Sequence, residues 1–175
     1  MKMHRTAAML LVSGVILQGL MAAASGGASV ADDPYAPLKL YDGKWDVAMA
    51  GEKVPTRLEN HCAKTGLFFA CEQVVNGKTG ALVIFLPFAK TASGGEEYRT
   101  QALRADASPA GDWGKLTIEG DKWVYAWEST DAGKKVYWRN INLFSETDKI
   151  HFEIQRSDDG SAWKTQNSGD EQRAK

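Results

Sequence analysis

Histidine and cysteine are scarce in this chain, and that scarcity removes most catalytic and metal chemistry from consideration. Of three histidines, His4 lies in an N-terminal segment set aside below, which leaves His61 and His151. No two-histidine metal pattern at helical spacing can be written with them. The two cysteines, Cys62 and Cys71, have no second close pair and no histidine set beside them to complete four ligands. The Gly-x-Ser-x-Gly elbow and the glycine-rich phosphate loop are both absent. The acidic pairs Asp32-Asp33, Glu96-Glu97 and Asp158-Asp159 are sequence neighbours. Adjacent residues of an extended chain point apart, so these make poor acid/base dyads. His61-Cys62 fails as a nucleophile pair for the same reason, and oxidation would silence the thiol. The chain is expected not to be an enzyme, and to need no metal or cofactor.

Apolar runs long enough to cross a bilayer are missing beyond residue 31. The first 31 residues have a secretory layout. Lys2 and Arg5 start it, residues 7–20 are mostly apolar, and small residues lead to Ser29-Val30-Ala31 before Asp32-Asp33-Pro34. This is the pattern of a signal peptide cleaved after Ala31, with a cut after Ala22, Ala23 or Ala24 and an uncleaved anchor as the alternatives. The expected organisation is a signal over residues 1–31 and one domain over 32–175, exported to the periplasm or secreted. Removing Lys2 and Arg5 from 21 basic residues leaves 19 against 22 acidic, a formal charge of −3. The charges are interspersed with no basic stripe, so neither nucleic acid nor, after cleavage, a membrane surface is an expected partner. Export implies an oxidising compartment, where an even cysteine pair reads as a disulfide. Cys62 and Cys71 flank the turn-forming Lys64-Thr65-Gly66-Leu67, which suits a bridge across one hairpin. Two buried free thiols are the other reading.

Sustained helical periodicity is also lacking. In its place come short alternating stretches broken by glycine, proline and Asx turns. Trp45, Val47 and Met49 alternate with Lys44, Asp46 and Ala48, a half-buried strand. Further strands are expected over residues 54–62, 67–75, 81–88, 96–104, 115–119, 122–130, 134–145, 149–156 and 161–168. Residues 33–39 read as an extended lead-in and 169–175 as a polar tail. Asn76-Gly77 is a strong hairpin turn, and Pro87 suggests an edge or bend. About ten strands at 8–12-residue spacing argue an all-β, antiparallel sandwich or barrel in meander order. Closure is favoured because an open sheet of that size leaves edges to protect.

Gly43-Lys44-Trp45, at the start of the first strand, is similar to the Gly-x-Trp signature of the lipocalin and calycin barrels. Tyr137-x-Arg139, Asn142-Leu143-Phe144, His151-Phe152-Glu153 and the run from Ser157 to Trp163 resemble the closing strands of small lipocalin-like bacterial proteins of unknown function. The Thr-Asp-Tyr motif of lipocalins is absent. The resemblance implies a barrel whose interior takes a small apolar ligand, with Trp45 plugging the closed end and an arginine packed over it, Arg173 being the candidate. Some related ten-stranded barrels bind haem through one histidine, a role that would fall to His151.

The residues themselves offer one candidate site. Trp123, Tyr125 and Trp127 share one face of a strand. An even-length loop after Asp131 would set Trp127 opposite Trp138 and Tyr125 opposite Asn140, whereas a three-residue loop would pair Trp127 with Tyr137. Tyr125, Trp127, Trp138 and Asn140 are therefore the candidate ligand contacts, flat aromatics with a few polar tips. A packed core of cross-strand aromatic pairs is the competing reading. Arg99 joins the candidates. Arg99, Arg139 and Arg156 sit mid-strand, and an inward one needs an acidic ligand or an internal partner. An outward one would lie along the sheet, for example over Trp163. The expected function is binding of a small hydrophobic or amphipathic molecule inside the barrel. The alternative is a non-catalytic envelope interaction or structural protein with a filled core.

Overall fold

The structure, a computed structural model, describes residues 33–175, so the expected signal segment lies outside the described residues. Asp32–Lys175 forms one compact unit. Its ten strands are Gly43–Met49 (β1), Thr56–Thr65 (β2), Phe68–Val75 (β3), Lys78–Lys90 (β4), Glu96–Arg104 (β5), Gly114–Glu119 (β6), Lys122–Asp131 (β7), Lys134–Glu146 (β8), Lys149–Ser157 (β9) and Lys164–Arg173 (β10). Each pairs antiparallel with its sequence neighbours, and β1 pairs with β10, which closes the barrel. Closure leaves no sheet edge unpaired.

Turn chemistry sets the register. Asn76-Gly77 and Ala132-Gly133 both carry positive φ at the two central positions (50° and 77°, 47° and 79°), the backbone of a two-residue hairpin matched to strand twist. The second turn has the even length that aligns Trp127 with Trp138 and Tyr125 with Asn140. At Pro87 the β4–β5 ladder shifts register before Ala89, since proline has no N–H to give. Cys62 and Cys71 face each other across β2 and β3 and form a disulfide. A bridge fits an oxidising, extracytoplasmic compartment, and closing nine residues adds about 2–3 kcal/mol on the chain-entropy account.

Two segments differ from the sequence expectation. The lead-in is not extended: Pro37–Tyr41 forms a 3-10 helix with proline at its start and Leu38 buried beneath the barrel. Tyr35 stacks on Phe69 with centroids 5.5 Å apart, and Tyr98 Oη donates to Pro34 O at 2.5 Å. The polar tail is not a tail either. β10 begins at Lys164 and runs to Arg173, pairing Trp45 with Arg173 and Val47 with Glu171. Its inward positions there are Gly169, Glu171 and Arg173, which give no apolar alternation to read.

Those two segments build the closed end. Trp45 is fully buried, and its indole N–H donates to Tyr41 O at 3.1 Å. The Arg173 guanidinium lies 4.3 Å from the Trp45 ring and donates to Asp42 O and Leu40 O, both at 2.6 Å. Gly43 has φ +115°, and a Cβ there would stand 2.7 Å from Arg173 Nη1. The Gly-x-Trp turn thus needs glycine twice over, for its backbone and for room under the arginine.

The opposite part of the wall is interrupted. β6 pairs with β5 only at Glu96 to Thr100 and with β7 only up to Ala126. Residues 105–113 fill the opening beyond it as a strap. Ala110 N donates to Ala102 O at 2.8 Å and Asp112 N to Glu128 O at 3.0 Å. Gln101 Nε2 reaches Gly111 O at 3.2 Å and Arg104 Nη2 reaches Ala110 O at 3.1 Å. The strap is therefore tied to both flanking strands.

Candidate functional site

The barrel interior is not filled. Between the aromatic floor and the strap lies a cavity of about 320 Å³. Leu58, Val83, Phe85, Ala102, Tyr125, Trp127 and Ile154 form its apolar walls, and the strap contributes Ala110, Gly111 and Asp112. Tyr41 lines its floor, packed on Trp123 and Phe144 with the three rings edge-on or tilted at 4.6–6.3 Å. Concave, largely apolar lining with a few placed polar groups is the usual make-up of a small-molecule site.

The polar lining is unusual in what it leaves unpaired. Asn60 and Asn142 are buried, and together with Asn140 each has an amide oxygen without a hydrogen-bond partner. Asn142 Nδ2 donates to Tyr41 Oη at 2.5 Å, which leaves its Oδ1 free. Orphaned buried acceptors carry a desolvation cost that a ligand donor would relieve. Glu171 reaches the same cavity from β10. Among the described residues no basic side chain lies within ion-pair distance of it. Burial without a partner pushes its carboxyl up to about 7. Burial also raises the Tyr41 and Tyr125 hydroxyls, and the Glu171 charge adds to the shift at Tyr41.

That raised carboxyl makes the stability of the barrel depend on pH with a definite sign. From an ordinary value of 4.5 to about 7, the folded chain holds a proton at Glu171 that the unfolded chain has lost. Stability contributed at this site therefore falls as pH rises through that window and stays low above it. Glu171→Gln removes the penalty. The melting temperature of the variant relative to the parent should climb between pH 4.5 and 8, by about 3–8 °C for about 1–3 kcal/mol. A constant difference across that range would contradict the assignment.

The expected ligand contacts separate into groups. Tyr125, Trp127 and Asn140 line the cavity together. Trp138 is on the same inner face beside Trp127, stacked at 6.1 Å with its indole N–H on Ser129 Oγ at 3.1 Å, and is not among the cavity-lining residues. Arg99, expected among the contacts, faces outward. Its strand neighbours Tyr98 and Thr100 are the buried ones, and its guanidinium lies 4.7 Å from the Phe88 ring. Arg139 is also outside, 4.2 Å from Trp163. Arg156 sits on the inner face at the rim, paired with Asp131 at 2.9 Å and Asp158 at 3.3 Å. His151 is outward on β9, 2.8 Å from Asp170, so it does not point at the cavity. The Ser157–Trp163 motif is a turn. Asp159 accepts from Ser161 N at 2.8 Å and Ala162 N at 2.9 Å, which holds its carboxyl well below the ordinary range.

Sequence reasoning missed Glu171, Asn60, Asn142 and the strap. Glu171 lies in the segment read as tail, and only continuing the period-two alternation from Trp45's partner strand would have turned it inward. Asn142 was recoverable, because it shares the face of Asn140.

Fold and interior together define a class, a closed ten-stranded antiparallel barrel around a lined cavity, and this architecture is consistent with lipocalin-like barrels. No protein-family model and no curated protein matches the chain.

Proposed function

We propose that the protein is an exported, lipocalin-like barrel that binds one small amphipathic molecule inside, and that it is not an enzyme. The cavity of about 320 Å³ carries this reading. A barrel serving only as a structural or interaction module would gain stability by filling that space, since voids forfeit packing contacts. Three unpaired amide oxygens in the lining point the same way. Export rests on the signal-like N-terminus together with the Cys62–Cys71 bridge.

Titration with the apolar fluorophore N-phenyl-1-naphthylamine tests it. The expected result is saturable uptake of one molecule per chain, with quenching of tryptophan emission, because Trp127 lines the site. Non-saturable, linear partitioning would favour the filled-core alternative.

A further inference from the structure

The lining has a sign. Its two ionisable carboxylates are Asp112 on the strap and Glu171 on β10, and no lysine, arginine or histidine is among the lining residues. The nearest strong cation on β10, Arg173, faces the same interior but is spent on Leu40 O, Asp42 O and the Trp45 ring. The basic and acidic groups around Glu171 on neighbouring strands point elsewhere. Lys149 and His151 on β9, Asp46 on β1 and Asp170 on β10 all stand on the outer face, at positions alternating with the inward Val47, Ile150 and Phe152. The titratable groups that share the cavity lining with Glu171 are the Asp112 carboxylate on the strap and the neutral hydroxyls of Tyr41 and Tyr125.

We infer that the cavity is selective for a small organic cation, a protonated amine on an aromatic or alkyl body, with Glu171 as the counter-charge and the free amide oxygens of Asn60, Asn140 and Asn142 accepting its N–H groups. This deepens the proposed binding function and rests on it. Three features converge. An ammonium supplies up to three donors and no acceptor, which matches a lining of acceptors without partners. The Tyr125 and Trp127 rings line the same cavity, aromatic surface of the kind that attracts a cation. An anionic ligand, such as a fatty acid, would meet two carboxylates and no cation.

The test compares 2-(1-naphthyl)ethylamine with its neutral counterpart 2-(1-naphthyl)ethanol by calorimetry on the intact barrel. At pH 8.5 the amine should bind roughly 10- to 100-fold more tightly, the range of a hydrogen bond to a charged group. At pH 5.5 the amine is still protonated but Glu171 is not ionised, and the preference should shrink to within about threefold. Glu171→Gln should flatten it at both pH values. Should that variant fail to fold, the pH series on the parent carries the same information. Equal binding of amine and alcohol at pH 8.5 would overturn cation selectivity while leaving the binding cavity intact. A preference indifferent to both pH and Glu171→Gln would overturn the role of Glu171. Failure of both compounds to saturate would bring down the binding function itself.

Discussion

Trp45→Ala is expected to lower folding stability by about 3–5 kcal/mol, a fall in melting temperature of about 8–15 °C for a domain of this size. The size of the effect follows from what the ring does. It is fully buried, and it is the surface against which three chain segments meet. The Tyr41 carbonyl accepts its N–H. Arg173 lies over its face while bridging Leu40 O and Asp42 O. Truncation removes the apolar burial and opens a void at the closed end. It also takes away the platform that holds the arginine over the first turn. Because Trp45 and Arg173 are partners across β1 and β10, the loss falls on the seam that closes the barrel. Arg173→Lys separates packing from bridging. Lysine keeps the charge but loses the planar fork and the stacking surface, and should cost less, about 1–2 kcal/mol. Thermal unfolding of the two variants with the parent reads both. A Trp45→Ala loss below about 1 kcal/mol would show that the plug is not where the barrel is held shut.

Ala102→Trp should abolish binding of N-phenyl-1-naphthylamine, a loss on the order of 100-fold or more, while leaving the fold in place. Ala102 lines the cavity on β5 opposite Val83, so an indole there enters empty space rather than packed core. Its backbone carbonyl still receives Ala110 N from the strap. The stability change should stay near 1 kcal/mol, because filling a void offsets much of the local strain. Undiminished uptake by a folded Ala102→Trp protein would place the probe outside the barrel, at exposed apolar residues such as Phe88 or Trp113.

Much of this fold was legible in the sequence, and the illegible part has one physical cause. Strands such as β1 and β7 bury Trp45, Val47 and Trp123 on one face, so period-two alternation announces them. β10 does not, because its inward residues near the closed end are Gly169, Glu171 and Arg173. Glycine sits where a Cβ would meet Ala48 O at 2.3 Å. Arginine sits where the plug needs a lid, and glutamate where the cavity carries charge. These positions break the hydrophobic rule because they serve closure and the cavity. The candidate site divides the same way. Tyr125, Trp127 and Asn140 followed from alternation and hairpin length. Trp138 shares their face but packs on Trp127 outside the cavity lining. Arg99 was placed by residue type alone, and the parity that buries Tyr98 and Thr100 turns it to solvent. The strap shows no period-two alternation, and nothing local to it announces that it would close an opening between β5 and β7.

Binding inside the barrel is decided by nuclear Overhauser contacts in a one-to-one complex with 2-(1-naphthyl)ethylamine. Contacts are expected from the naphthyl protons to Ala102, Tyr125 and Trp127, with the aminoethyl protons near Asn142 and Glu171. Contacts confined to the exposed Leu67, Phe88 or Trp113 side chains, with none to the interior, would contradict it.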